Sequence, residues 1–254
     1  MTRQKALRDD LGRTGCNGFV FWQGASMIDG KPVVLIVTNV VKPSKNEKTG
    51  PMIQTYILRS DVNPFDALLT GEDVSVCGFC PLRPFLAKLN KLVGKRCYVN
   101  VPKAVLGVYR AFKNRRYASK NRVAEHTARL ASKNLRKGTY GNPSAIPVAV
   151  WQELESLCKK GTGYDHRWKS IHQTWNKHVM ASVSNLVDAQ KAWTKGYRTF
   201  RTRKAHEPLA SNEIVCPASA EGGKKRSCIT CFACDGNPKG KDPKRVKSIV
   251  IIEH

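Results

Sequence analysis

Four cysteines near the end of the chain, Cys216, Cys228, Cys231 and Cys234, have a spacing suited to metal chemistry. Three of them repeat at intervals of three, so each C-x2-C step turns two sulfurs toward one centre. Cys216, followed by Pro217, adds a remote fourth, a pattern closer to iron-sulfur ligation than to ordinary zinc spacing. Four protein sulfurs would occupy every iron of a cubane, which suits a structural or electron-transferring cluster. Zinc held by the same thiolates would instead staple a loop too polar to pack by itself, so both metals remain open. Unligated thiols are the competing reading.

A second group, Cys77-Gly78-Phe79-Cys80-Pro81, is followed by Cys97 after a basic segment containing Lys88, Lys91, Lys95 and Arg96. Three thiols can hold a cluster with one iron open, or join a fourth ligand to close a zinc site. Cys97, beside Tyr98 and Val99, also reads as a buried strand residue. With four ligands in the tail and three here, the Cys77, Cys80 and Cys97 group is the better place to seek reactivity. Asp165 and His166, between Tyr164 and Trp168, offer an acid-base pair or a nucleotide-stacking site, and Asn142 is a further catalytic candidate. All three also fit purely structural roles. The chain has no Walker loop, no G-x-G-x-x-G after a strand, no H-E-x-x-H and no G-x-S-x-G, so the common nucleotide and hydrolase mechanisms lack support.

Charge is the other strong signal: 44 Lys and Arg against 19 Asp and Glu leave a net +25 across 254 residues. A polyanion is the expected partner, bound through counterion release and weakened steeply by salt. The densest basic stretch begins with a helix whose apolar face is Val105, Val108, Tyr109 and Phe112. Lys103, Arg110 and Lys113 fall on another face, and Arg115, Arg116, Lys120 and Arg122 extend it. This is the first choice of nucleic-acid surface; a solvated face, or a self-repelling flexible segment over 114–134, is the alternative. Nine cysteines are an odd count, which favours ligands over disulfides in a reducing compartment. No apolar run approaches the ~18 residues of a membrane span, and the N-terminus carries no signal segment, so a cytoplasmic location and no membrane partner are expected.

The elements that must position these groups begin with three strands, at 19–22, 33–41 and 52–58, with a turn at Asp29-Gly30 and a polar loop over 42–48. A short helix over 63–69 ends at Gly71. Further on, a strand over 134–140 precedes a helix from Pro147 through Trp151, Leu154, Leu157 and Cys158, and Cys158 falls on its apolar stripe. A strand over 178–183, a helix capped by Ser184 and stopped by Gly196, and a strand over 197–201 make a β-α-β unit. The apolar strand Ser248–Ile252 is expected to close the sheet. The pattern predicts an α/β protein: a small β-rich N-terminal region over 1–71, then a partial or complete β/α barrel-like domain over 72–254 with a Cys-rich metal-binding loop.

Several of these motifs carry a resemblance. Cys77-Gly78-Phe79-Cys80 leading to Cys97-Tyr98-Val99, Tyr140-Gly141-Asn142-Pro143 and Gly196-Tyr197-Arg198-Thr199-Phe200-Arg201 occur in order. Val215-Cys216-Pro217-Ala218, the three-cysteine run and the terminal Ile249-Val250-Ile251-Ile252-Glu253-His254 follow. Over residues 72–254 the chain resembles a family of uncharacterised tailed-phage proteins and, more distantly, the phage gene product 88 family. Such relatives imply a phage-encoded protein in the host cytoplasm, built as a barrel of β-α units akin to radical SAM enzymes. That kinship implies, as the alternative function, a cluster at Cys77, Cys80 and Cys97 using S-adenosylmethionine, although these cysteines are spread more widely than the usual C-x3-C-x2-C. The reading from the residues themselves is an iron-sulfur or zinc protein that binds nucleic acid.

Overall fold

The computed structural model describes residues 16–83, 85–87, 91–93, 97–122, 124–237 and 246–253, with the backbone alone for 85–87, 91–93 and 122. The segments around Lys88, Lys95 and Arg96 lie outside the described residues, as does the side chain of Lys91.

Three strands open the fold as an antiparallel meander: β1 (Gly18–Ala25), β2 (Pro32–Thr38) and β3 (Ile53–Arg59). Every residue of β3 is buried, because it has a strand on each side and packing on both faces. The helix α1 (Pro64–Thr70) starts where Asn63 accepts a hydrogen bond from the Phe65 N–H at 2.8 Å and stops at Gly71, whose φ of 81° only glycine adopts freely. One turn, α2 (Val74–Cys77), then delivers Cys77. A short hairpin of β4 (Phe85–Ala87) and β5 (Lys91–Val93) follows. A π-helical turn, Val101–Val105, runs directly into α3 (Leu106–Lys113). The 114–134 segment is folded through a 3-10 turn at Lys120–Arg122 and α4 (Ala124–Leu130).

From here the strands are parallel. The strand β6 (Leu135–Tyr140) pairs with β3, so the three N-terminal strands share a sheet with the later chain across the expected boundary at residue 71. Its register slips between Gln54 and Tyr56, where the Thr55 hydroxyl donates to the Arg136 carbonyl at 3.0 Å and accepts from the Gly138 N–H at 2.9 Å. After α5 (Val148–Ser156), β7 (Gly161–Thr162) pairs with β6. The strand β8 (Tyr164–Asp165) follows immediately and pairs instead with β9 (Met180–Val183). Gly163 is therefore the joint between the two five-stranded sheets; a Cβ there would sit 2.9 Å from the Lys137 Cβ.

The second sheet is parallel throughout, in the order β11-β12-β10-β9-β8, with α6 (Leu186–Thr194), β10 (Thr199–Arg203), β11 (Glu213–Val215) and β12 (Ser248–Ile252). The chain is thus an α/β protein in which the β9-α6-β10 crossover matches the expected unit. Two details differ from expectation. The cap of α6 is Asn185, which accepts from the Asp188 N–H at 2.7 Å, where Ser184 was expected one residue earlier. Strand β12 does not close the sheet: it lies between β10 and β11, because a fully apolar strand gains most where both edges are paired. β11 takes the outer position as a three-residue strand led by Glu213, a pattern with no apolar run to reveal it.

One large core spans both sheets, joining Phe19, Ile57, Trp151, Trp168, Val183 and Tyr197. A smaller cluster covers the opposite face of the second sheet, where Tyr164, Met180, Phe200 and Ile249 meet residues of the cysteine tail. No helix of the described residues is long and apolar enough to cross a membrane.

Candidate metal centre and nucleic-acid interface

The tail is laid across that smaller cluster. Cys216 leaves β11 buried, its N–H donating to the Val250 carbonyl at 2.8 Å. Cys228 opens a single turn, α7 (Cys228–Cys231), capped reciprocally by Ser227 and Thr230. The Cys228 N–H donates at 2.8 Å to the carbonyl of Lys48, so the polar 42–48 loop is a dock for the tail. The Cys234 carbonyl accepts from the Gly163 N–H at 3.1 Å, at the joint between the sheets. The thiols of Cys216, Cys228 and Cys234 pack in one apolar group with Tyr164 and Phe200, whose rings lie 4.3 Å apart; Cys231 is half-buried beyond it.

Arg198 holds this arrangement. Its buried guanidinium donates to the carbonyls of Ala233, Gly236 and Lys247 at 2.6–2.7 Å and to Asp235 at 2.9 Å. Burial pushes the Cys234 thiol up to about 12; a hydrogen bond from the Tyr164 hydroxyl opposes this, neighbouring Cys216 and Cys228 add to it, and Arg198 opposes it. Cys228 is likewise raised, by burial and then Cys216, against the pull of Lys48 and Arg136. Without a cation these thiols hold their protons near neutral pH, and a thiophilic cation would have to displace them.

The first cysteine group lies at the carboxyl ends of β6 and β8. Cys77 ends α2, its N–H bonded to the Asp73 carbonyl at 2.9 Å, and the N–H of Cys97 donates to the Leu82 carbonyl at 3.0 Å. Arg83 locks the intervening loop: it forks onto buried Asp73 and donates to the carbonyls of Gly78 and Gly71 at 3.0 Å each. Burial pushes the Cys77 thiol well up, with Asp73, Cys80 and Cys97 adding to it and Arg83 opposing. Cys80 is raised to about 11, burial first, with Cys97 among its neighbours. The three thiols are thus in electrostatic reach of one another and of the Tyr140 phenol, itself raised by burial and by Cys77, Asp73 and Cys97.

Neither group is a preformed cage: among the described residues no set of three or more His, Cys, Asp or Glu side chains is arranged to hold a metal ion. The donor chemistry of the tail still fits a soft cation, since three cysteines pack in one apolar cluster with the cations Lys48, Arg136 and Arg198 in electrostatic reach. Cys97 lies outside any strand and is half-buried.

Asn142 works as a staple. Its N–H donates to the Val76 carbonyl at 2.8 Å, its amide nitrogen to the Cys77 carbonyl, and its amide oxygen accepts from the His166 N–H at 3.1 Å. Asp165 is fully buried, and its two oxygens accept from the N–H groups of Ser144 at 2.8 Å and Arg167 at 2.7 Å. Burial raises its carboxyl, those two hydrogen bonds oppose the rise, and neither is spent on orienting His166. Burial alone lowers His166 to about 4. Its unfolded form takes up a proton near pH 6.5 that the folded form refuses until about 4, so stability is present above that window and lost as pH falls through it. Denaturant midpoints measured between pH 7 and 4 are expected to decline, and His166→Gln to flatten the decline.

A buried ionic group escaped the sequence reading. Glu155 bridges Lys137 and His178, the latter at 2.7 Å; burial alone would raise its carboxyl, but His178 and Lys137 outweigh that and hold it low. Arg83, Arg136 and Arg198 were missed as well; Arg83, three residues after Cys80 in the Cys-Pro-Leu-Arg-Pro run, is the one a local signal could have found.

On the basic face, Lys103, Arg110, Lys113, Arg115 and Arg116 are exposed, opposite buried Val105 and Tyr109. Lys120 is drawn off it, paired with Glu153 and 4.7 Å above the Phe21 ring. The side chain of Arg122 lies outside the described residues.

Fold and site together define the class: an α/β protein whose joined mixed and parallel sheets carry two thiol groups, one across a sheet face and one at the strand ends. No protein-family model matches the chain, and no curated protein or solved structure is similar to it.

Proposed function

We propose that this protein is a thiolate metalloprotein that associates with nucleic acid through a basic surface. The observation that carries the reading is the packing of Cys216, Cys228 and Cys234 in one apolar cluster, with Lys48, Arg136 and Arg198 in electrostatic reach. A tetrathiolate centre is anionic, and cations beside it offset that charge. Cys216, Cys228, Cys231 and Cys234 would hold an iron-sulfur cluster or zinc; when bound, the group supplies electron transfer in the first case and a structural crosslink in the second. Lys103, Arg110, Lys113, Arg115 and Arg116 would contact phosphates, consistent with the net +25. The resemblance to tailed-phage proteins supplies the setting, a phage-encoded protein in the host cytoplasm. The parallel run from β3 to β11 fits a partial β/α barrel.

Anaerobic purification with absorption spectroscopy and iron, sulfide and zinc assays tests the metal. Stoichiometric metal in the wild type, lost in Cys231→Ser, is expected; a metal-free wild type overturns the proposal. A salt titration of DNA and RNA binding tests the surface, and binding that is absent or independent of salt removes that half.

One observation favours a second reading. Cys77 is bonded through its carbonyl to Asn142 at the carboxyl end of β6, where α/β folds collect functional groups, with Cys80 and Cys97 in electrostatic reach of it. Three thiols leave one iron of a cluster open, as a radical SAM-like enzyme using S-adenosylmethionine requires. Formation of 5′-deoxyadenosine by the reduced protein would support it.

A further inference from the structure

Two aromatic side chains at the first cysteine group are turned out to solvent, against the usual preference of such rings. Phe79, at the tip of the Cys77–Cys80 knuckle, is 91% exposed, and Tyr98, beside Cys97, is 74% exposed. A large apolar ring in water forgoes the free energy of burial that most aromatic residues of this chain obtain. The backbone beneath Phe79 and the ring of Tyr98 are nonetheless held. The backbone under Phe79 is fixed by the Arg83 hydrogen bond to the Gly78 carbonyl, and Gly78 has a φ of 59° that permits its close approach to Arg167. The Tyr98 hydroxyl accepts a hydrogen bond from the Arg136 guanidinium at 2.9 Å, which pins the ring by its far end. The two residues are tied through the backbone between them: Arg83 donates to the Gly78 carbonyl at 3.0 Å, and the Cys97 N–H donates to the carbonyl of Leu82, next to Arg83, at 3.0 Å.

Charge in the sequence points to the occupant. Between Cys80 and Cys97 the sequence carries Lys88, Lys91, Lys95 and Arg96 and no acidic residue, besides Arg83, which is spent on Asp73. Exposed Lys103 follows at the start of the π-helical turn. Exposed rings flanking a cationic sequence stretch match the requirements of unpaired bases on a phosphate backbone, whose π-faces a duplex hides. We propose that Phe79 and Tyr98 form a stacking platform for single-stranded nucleic acid. This rests on the nucleic-acid reading above and assigns it a strand preference and two aromatic contacts outside α3.

The test uses the full-length protein and fluorescein-labelled 12-nucleotide dT and U oligomers, with a 12-base-pair duplex as comparison, read by anisotropy across a salt series. Single strands are expected to bind more tightly than the duplex. Phe79→Ala and Tyr98→Ala are each expected to weaken single-strand binding about 5- to 100-fold, with an unchanged slope against log salt because phosphate contacts persist. Phe79→Trp is expected to restore binding. Thermal melts should be nearly unchanged, since both rings are exposed; Tyr98→Phe, which keeps the ring and removes only the acceptor for Arg136, guards against a folding effect and is expected to bind far better than Tyr98→Ala. If the wild type binds no nucleic acid at low salt, the functional reading itself fails. If it binds but the alanine variants match it, or the duplex binds equally well, the stacking platform alone is overturned. Loss of a wild-type dimer in Phe79→Ala, with oligomer binding intact, also overturns it in favour of a self-association surface.

Discussion

Replacing Glu213 with Ala is expected to destabilise the fold by about 3–5 kcal/mol, the range for stranding one partner of a buried ion pair. Arg201 and Glu213 are 1% and 0% exposed, and the guanidinium meets the carboxylate through two bonds, at 2.8 and 2.7 Å. They belong to β10 and β11, which are separated by β12, so the pair reaches across Val250 on the face opposite the tail. Glu213 also accepts from the Ala210 N–H at 2.9 Å, and Arg201 also donates to Glu207 and to the Pro208 carbonyl, each at 3.1 Å. Truncating Glu213 leaves a buried cation with only the half-exposed Glu207 to answer it. Chemical denaturation measures the loss. The double replacement Arg201→Met with Glu213→Leu should recover most of it, because the cost lies in the unpaired charge and not in the absence of a charge pair. A Glu213→Ala protein within about 1 kcal/mol of wild type would show that water reaches the site.

The second large effect is expected from Arg198→Ala. That change strands the carbonyls of Ala233, Gly236 and Lys247 and releases Asp235, and with hydrogen bonds to a charged donor worth about 1.5–3 kcal/mol each, the tail from 233 to 237 should detach locally. Limited proteolysis and amide exchange are the appropriate measurements, since a local opening moves them more than it moves the global midpoint. Arg198→Lys should behave nearly as badly, because an ammonium cannot span acceptors placed around a planar fork. If the tail holds metal as proposed, metal content falls in parallel, because Cys234 is adjacent to Ala233. Unchanged protection of residues 228–237 in Arg198→Ala would remove Arg198 from this role.

The two arginines show where sequence reading stopped. Tyr197-Arg198-Thr199-Phe200-Arg201 reads as a strand, and the chain forms one over Thr199–Arg203. Nothing in those letters distinguishes Arg198 and Arg201 from solvated strand cations; their burial depends on Asp235 and Glu213, which are remote in sequence. Asn142 is similar. It stood out as a polar residue in a Gly-Asn-Pro turn, and its bonds to Val76, Cys77 and His166 became visible only once β6 and β8 were side by side. Elements with strong local signals were legible: the β2 run Pro32–Thr38, the helix between Asn63 and Gly71, and the β12 run Ser248–Ile252. Their signals are caps, turns and continuous apolar stretches, which act over a few residues.

By itself, the sequence determined the α/β class, four of the helices and the longer strands, the two cysteine groups and the excess of positive charge, because each follows from local composition and spacing. Tertiary structure alone decided that β12 lies inside its sheet, that Gly163 joins two sheets, and that the tail lies over one sheet face while Phe79 and Tyr98 stand in solvent. Strand order, burial of a charge and exposure of a ring depend on which distant segments arrive beside them, and no local pattern encodes that arrival.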